Sequence, residues 1–283
     1  MRIVENVAEM RRLAEAWRAE GEKIAFVPTM GFLHEGHLSL LRTARGLGTK
    51  SVISIFVNPA QFAPTEDFAS YPRDLRRDLD LSAKIGTDIA FTPSAEQMYP
   101  EGFQTCVEVG RVTKNLCGAS RPIFFRGVAT VVTKLFNAVK PHAAVFGQKD
   151  FQQLVTIRRM VKDLNMDVEI VGHPIVREED GLAMSSRNTY LTPDERPIAL
   201  RLSRSLELAR QLVNAGQKDA GAILKAVSDR ISEGGGAVID YARLCNTETI
   251  EDVEIVDGPT LLALAVWVGK TRLIDNCVLG GEP

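Results

Sequence analysis

Cysteine is sparse in this sequence and shows no pairing pattern. Cys106, Cys117, Cys245 and Cys277 lie far apart with no Cys-x-x-Cys spacing, which excludes a zinc knuckle or a disulfide framework and leaves reduced, mostly structural thiols. An excess of either charge is also missing: 34 basic residues face 36 acidic ones, a net of −2, with no Lys/Arg block in either half. A general nucleic-acid binder carries a clear basic excess, so a polyanion track is excluded as the main partner, while small, locally held anions are not. No apolar run approaches the roughly 18 residues of a membrane span. The longest, Leu261 to Val268, is strand-sized, so no membrane partner is expected. Acidic residues near the start and the lack of an apolar signal core point to cytoplasmic residence. Internal repeats and low-complexity stretches are absent as well.

What is present is the make-up of a globular protein, 283 residues with 45% apolar and 25% charged, enough for about two domains of roughly 150 residues. Through the first 175 residues, short apolar or β-branched runs alternate with amphipathic stretches, the pattern of βαβ units around a parallel sheet. Strands are expected at Ile24 to Pro28, Ser51 to Asn58, Asp88 to Thr92, Ala143 to Phe146 and Val168 to Gly172. Helical spacing runs through Leu38 to Leu47, Leu75 to Ile85, Val128 to Val139 and Leu154 to Leu164. Past Arg187 the texture changes. Thr192-Pro193-Asp194-Glu195 reads as a helix start, running to Ala215 and ending at Gly216. A second helix spans Ala220 to Ser232, and strands are expected at Ile239 to Leu244, Leu262 to Val268 and Arg272 to Ile274. The fold class is therefore α/β. A Rossmann-like doubly wound parallel sheet is expected over residues 1–176, and a smaller α+β C-terminal domain over 177–283. The polar Glu178-Glu179-Asp180-Gly181 stretch is the expected hinge.

Ligands of doubly wound sheets bind beyond the carboxyl ends of the strands, and three polar clusters stand out on that ground. Two of the four histidines, His34 and His37, stand three apart in Met30-Gly31-Phe32-Leu33-His34-Glu35-Gly36-His37, just after the first expected strand. Glycines there permit a tight turn and close approach to a ligand, and a helix N-terminus points N–H groups at an anion. A capped helix with two exposed histidines fits the same residues. Gly147-Gln148-Lys149-Asp150 is a second strand-to-helix turn, with Lys149 placed to neutralise a phosphate, Asp150 able to cap the helix and Gln153 one turn on; a solvated surface lysine fits equally. Met184-Ser185-Ser186-Arg187-Asn188 offers hydroxyls and a guanidinium able to clamp two phosphate oxygens, or a Ser/Asn-rich linker turn. Asn58 and Gln61 put neutral amides at a strand end, suited to hydroxyls or a carboxylate. Ala63 to Tyr71 is a lid or an ordinary surface connection. His142 and His173 are read as structural. No His/Cys/carboxylate grouping has the spacing of a dedicated metal site, so Mg²⁺ is expected to arrive held mainly by nucleotide phosphates.

These segments together resemble the pantoate–β-alanine ligase family. Met30 to His37 is similar to its form of the HIGH motif of nucleotidylyl transferases. Phe56 to Phe62, Tyr71-Pro72-Arg73, Arg126-Gly127-Val128, Phe146 to Gln153, Met184 to Asn188 and Arg272-Leu273-Ile274-Asp275-Asn276 resemble its other signatures, in the same order. The resemblance implies ATP-dependent condensation of pantoate with β-alanine through a pantoyl adenylate, in the route to pantothenate and coenzyme A. It implies His37 as proton donor, acting with His34, Lys149, Arg187, Ser185 and Ser186. It implies an ATP site lined by Met30 to His37, Gly147 to Asp150, Val176 and Met184 to Arg187. Pantoate would be held by Gln61 and Gln153, with Met30 and Asn58, and β-alanine bordered by Gln61; a homodimer is also implied. Two positions depart from the pattern: Phe124 stands where many relatives have His, and Gln148 where Glu is usual. The rival readings are another nucleotidylyl transferase, whose phosphorylated acceptor would call for more Arg or Lys than Gln61 and Gln153 offer, and a non-catalytic nucleotide-sensing module.

Overall fold

The computed structural model describes residues 1–64 and 66–281. The chain divides into two compact units: Met1–Gly110, Ser120–Gln148 and Gln153–Pro174 form the first, and Arg111–Ala119, Lys149–Gln152 and the chain from Ile175 on form the second. In chain order the elements are β1 (Arg2–Val4), α1 (Val7–Ala19), β2 (Ile24–Thr29), α2 (Glu35–Leu47), β3 (Lys50–Ile55), α3 (Leu75–Ile85) and β4 (Ile89–Phe91). Two short helices follow, α4 (Ala95–Met98) and α5 (Cys117–Ser120), then α6 (Phe124–Val139), β5 (Ala143–Gly147), α7 (Phe151–Asp163) and β6 (Glu169–His173). The rest is α8 (Arg196–Ala199), α9 (Arg201–Asn214), α10 (Ala220–Ser232), β7 (Ala237–Asn246), β8 (Thr260–Val268) and β9 (Thr271–Leu279).

The first unit holds a six-stranded parallel sheet in the order β1-β4-β3-β2-β5-β6. Ile24 to Val27 of β2 and all of β4 are buried, as expected of strands covered on both faces. Successive side chains serve opposite layers. Ala25 and Val27 pack with Leu38, Leu41 and Ala44 of α2, while Phe26 meets Phe136 of α6 edge-on at 6.3 Å. From β2 the chain winds outward through β3 to β4, then returns to lay β5 on the other side of β2, pairing Ala25 with Ala143 and Phe26 with Ala144. The strand order thus reverses between β2 and β5, and ligand crevices of such sheets open at the carboxyl ends there.

Five strands were expected and six are present. β1 is only three residues long and buries only Val4, too little for a periodic signal. Helix α1 buries only Met10 and Ala14, one i,i+4 stripe, and Asn6 caps it by accepting from Ala8 and Glu9 N–H. β3 stops at Ile55 because Asn58 caps a 3-10 turn opened by Pro59.

The second unit carries an antiparallel sheet in the order β7-β8-β9. Leu262, Leu264, Val266 and Val268 of β8 bury against Leu202 and Leu206 of α9 and Ile223, Val227 and Ile231 of α10. The single helix expected from Thr192 is instead a turn followed by α8 and α9, jointed at Leu200. Thr192 and Glu195 cap each other reciprocally within that turn, at 2.9 and 3.3 Å. The stretch expected as a hinge is a closed turn. Glu178 N–H donates to Leu182 O at 2.8 Å, and Arg196 pairs with Glu178 at 2.5 Å and Asp180 at 2.8 Å. Burial raises the Asp180 carboxyl, but the hydrogen bond from Arg196 and the Leu182 N–H outweigh it and hold it below the usual value. No helix among the described residues is long and apolar enough to cross a membrane.

Met10 tests the importance of the unforeseen first helix. Its side chain is fully buried, so Met10→Ala is expected to cost about 2–5 kcal/mol in urea unfolding; a loss below about 0.5 kcal/mol would mean that α1 does not belong to the core.

Candidate active site

The turn after β2 is built before either histidine is reached. Thr29 Oγ1 donates to Ser54 O at 2.8 Å and accepts from Gly31 N–H at 3.2 Å. Gly31 sits at φ +84, and a Cβ there would stand 2.9 Å from Asp78 Oδ2, so only glycine fits. Phe32 follows at φ 51. The N–H groups of Phe32 and Leu33 both donate to Asp78, at 2.7 Å each. Burial pushes the Asp78 carboxyl above its ordinary value, and those two bonds pull it only part of the way back. His34 is the N-cap of α2, its carbonyl accepting from His37 and Leu38 N–H. Its own N–H donates to His37 Nδ1 at 3.3 Å, which leaves Nε2 to carry the proton of a neutral His37 ring. The two rings lie 4.0 Å apart, tilted by 36°. Both expected imidazoles thus meet as one pair at the first turn of a helix, at the crevice position of the sheet.

Beside it lies the amide pair. Gln61 Nε2 donates to Met30 Sδ at 3.1 Å, and Gln61 Oε1 accepts from Asn58 at 3.0 Å. Asn58 was expected to touch a ligand, but it is 1% exposed. Its amide also donates to Gly127 O, and its oxygen accepts from Tyr99 OH and Ala60 N–H. Every donor and lone pair of Asn58 is taken, so it places Gln61 instead. Burial raises the Tyr99 hydroxyl to about 12, which keeps it a donor at neutral pH. At Gly127 of α6 a Cβ would fall 2.3 Å from Ala60 O, so the helix touches the Pro59–Gln61 turn through bare backbone. Leu33 is corrected likewise: its side chain lies in the core, its N–H goes to Asp78 and its carbonyl to Arg77 at 2.8 Å. The Glu35 carboxylate pairs with Arg42. Gln153 is half-buried on the first turn of α7. His142 Nδ1 accepts from Ile24 N–H, and His173 Nδ1 pairs with Thr43 Oγ1.

The Ala63 to Tyr71 loop is held at several points, with Thr65 outside the described residues. Phe62 packs on Phe68 and Tyr71, at 5.3 and 6.0 Å, and Arg73 donates to Phe68 O and Tyr71 O. Glu66 meets Arg121 in a two-pronged pair at 2.6 and 2.7 Å. The guanidinium stacks 3.9 Å over Phe124, which gives that departure from the family pattern a place.

In the second unit Lys149 and Asp150 follow β5 in a 3-10 turn, with Nζ 3.8 Å from the Asp150 carboxylate. β9 braces this turn: Asn276 Nδ2 donates to Lys149 O at 2.8 Å. One residue earlier, buried Asp275 takes two bonds from Arg177, at 2.7 and 3.0 Å. Arg177 stands at the base of the closed turn that leads to Met184, whose N–H donates to Val176 O at 3.0 Å. Ser185 then caps the Ser186–Tyr190 turn by accepting from Arg187 N–H at 3.3 Å. Asn188 ties that turn to Glu178 and Ala183 O. The predicted clamp and the predicted lysine turn are thus secured by neighbouring residues of one strand.

The sequence model of the Pantoate-beta-alanine ligase family matches residues 2–278. The chain belongs to that family. A pantothenate synthetase of Syntrophobacter fumaroxidans is 63% identical over 279 residues, covering 99% of both chains. One from Geobacter sulfurreducens is 58% identical over 282 residues, covering 100% of both. The crystal structure of pantothenate synthetase from Thermus thermophilus superposes with a TM-score of 0.93 at 45% identity, over 98% of this chain and 99% of that one. A pantoate-beta-alanine ligase from Francisella tularensis, solved as its complex with beta-gamma ATP and beta-alanine, gives 0.80 at 32%, covering 98% and 97%. Sequence reasoning missed several residues of this member of the family, Asp78, Tyr99 and the Glu66–Arg121 pair, and it held Asp275 within a signature without revealing its partner Arg177. Asp78 carries a faint signal, an acid on the inward side of an amphipathic helix.

Glu66 generates a pH test. Burial raises its carboxyl, but the hydrogen bonds from Arg121 and Ala63 N–H outweigh it and hold it below the model-peptide value of 4.5. Its stabilising effect is therefore complete above 4.5 and is lost as pH falls through the lower folded value. The melting-temperature gap between wild type and Glu66→Gln is expected to close on acidification below that range; a gap independent of pH would refute the pairing. Gly127→Ala, which pushes on Ala60 and Gln61, is expected to melt at least about 4 °C lower; an unchanged melting curve would show the contact to be loose.

Proposed function

We propose that this chain condenses (R)-pantoate with β-alanine to pantothenate at the expense of ATP, through a pantoyl adenylate. The observation that carries the reading is the His34–His37 ring pair at the start of α2, with the His37 tautomer set by the His34 N–H. In the first step a pantoate carboxylate oxygen bonds to the α-phosphorus and the bond from that phosphorus to the bridging oxygen breaks, releasing pyrophosphate. In the second, the amine of β-alanine attacks the acyl carbon and AMP departs. Both steps build negative charge on oxygens, which fixed donors stabilise most where water is excluded. His37 offers Nε2–H to the phosphates, with His34 beside it, and Lys149 and Arg187 add charge. Ser185 and Ser186 add hydroxyl or backbone bonds. Pyrophosphate is already a good leaving group, so His37 acts more by electrostatic stabilisation than by handing over a proton.

In this reading Met30 to His37 and Gly147 to Asp150 line the ATP site with Val176 and Met184 to Arg187; Glu35 serves through its backbone, while Leu33, whose N–H and carbonyl are taken by Asp78 and Arg77, shapes the turn instead. Gln61, Gln153 and Met30 hold pantoate, Gln61 borders β-alanine, and Asn58 keeps Gln61 in place. Residues 1–176 supply the nucleotide and pantoate side, and residues 177–283 the Met184–Arg187 clamp. No group of three or more His, Cys, Asp or Glu side chains among the described residues could hold a metal ion. Mg²⁺ would be carried mainly on the nucleotide phosphates, where its charge would offset theirs. The enzyme is read as a cytoplasmic homodimer.

Neutral amides at Gln61 and Gln153 favour a hydroxy acid over the phosphorylated acceptor of another nucleotidylyl transferase. Retention of both histidines with Lys149 and Arg187 disfavours a nucleotide sensor. The decisive experiment is exchange of pyrophosphate into ATP with Mg²⁺ and pantoate but no β-alanine. Pantoate-dependent exchange is expected; ATP binding without exchange would bring the rivals forward. His37→Ala is expected to slow single-turnover adenylation by roughly 100-fold or more while changing ATP affinity far less. Near-normal adenylation would remove His37 from the step.

A further inference from the structure

One turn of α3 closes on the residues just before His34 with three hydrogen bonds and one cation–π contact. Asp78 accepts from the N–H groups of Phe32 and Leu33 at 2.7 Å each. Arg77 donates to Leu33 O at 2.8 Å, and its guanidinium lies over the Phe32 ring at 5.6 Å. The Asp78 side chain is fully buried, while that of Arg77 is 47% exposed. The held segment cannot be replaced by a relaxed one: Gly31 has no room for a Cβ against Asp78 Oδ2, and Phe32 keeps a positive φ. The next N–H along the chain is that of His34, which donates to His37 Nδ1. A continuous series of bonds therefore runs from Asp78 through two peptide groups to the His37 imidazole.

We propose that Asp78 is the positioning residue of the adenylation step: it touches neither nucleotide nor acid, and sets the angle of the His34–His37 pair through the backbone of Phe32 and Leu33. The proposal rests on the adenylation reading above. Asparagine tests it closely, because an amide of the same shape keeps one acceptor and turns N–H₂ toward the second backbone N–H, where two donors meet. The cost belongs in turnover and not in ground-state binding, since small displacements of a catalytic group act on the transition state.

The experiment compares wild type, Asp78→Asn and Arg77→Gln, with Arg76→Gln as the control on the same turn of α3. Each is assayed by pantoate-dependent pyrophosphate exchange, by far-UV circular dichroism, and by the ¹⁵N resonance of His37 Nδ1 in the free protein. Asp78→Asn is expected to keep the fold, to lower exchange turnover by roughly 10- to 100-fold, and to hold both KM values within about threefold. The His37 Nδ1 resonance should move. Arg77→Gln should act in the same direction and less, and Arg76→Gln should change nothing. A folded Asp78→Asn with wild-type turnover overturns the proposal, as does a loss of turnover with the Nδ1 resonance unmoved. Should Asp78→Asn not fold, Arg77→Gln decides: unchanged turnover and an unchanged resonance are equally fatal. If wild type shows no pantoate-dependent exchange, the adenylation reading falls, and an unmoved Nδ1 resonance in Asp78→Asn would then refute the positioning series independently.

Discussion

Two peptide N–H groups ending on the buried Asp78 carboxylate set the shape of the whole histidine turn. Burying a carboxylate is costly unless its lone pairs are filled, and burying two peptide donors is costly unless they find acceptors; each solves the other's problem. Removing the acid would leave both N–H groups stranded and the positive φ of Phe32 unsupported. The parallel sheet brings the ends of β2 and β5 side by side. The precision of the turn between β2 and α2, however, comes from α3, through Asp78 and Arg77.

The second unit reaches a comparable result with a strand. Asp275 and Asn276 are consecutive on β9, so their side chains point to opposite faces. One takes Arg177 and the other takes the Lys149 carbonyl. The Glu178–Gly181 turn is closed again by Arg196. The irregular backbone that carries Lys149, Ser185 and Arg187 is held by residues on regular elements, Asn276 and the buried Asp275 on β9 and Arg196 on α8.

The parallel sheet and the crevice histidines were legible because their signals are local: apolar strands between helical periods, and two scarce histidines beside glycines. Leu75–Ile85 and Ala220–Ser232 match their helices end for end, since apolar periodicity and punctuating glycines coincide there. β1 and α1 escaped because one buried valine and a two-residue stripe fall below any periodic threshold. The helix expected from Thr192 is divided at Leu200, and the acidic stretch is a closed turn that Arg196 pairs with at Glu178 and Asp180. Asn58 and Leu33 show a further limit. Composition tells that an amide or a backbone group stands near a site, but its hydrogen-bond partners come from positions far along the chain and decide whether it meets a ligand.

The bond from Asn276 to the Lys149 carbonyl spans 127 residues, and that distance has a temporal meaning. Chains fold from the N-terminus as they are synthesised, so the parallel sheet and the histidine turn can assemble while the remainder is still being made. The lysine turn cannot: its brace is on β9, the last strand described. A ribosome-bound intermediate would thus carry a finished histidine turn and a lysine turn still without its brace, which arrives only with the last strand described.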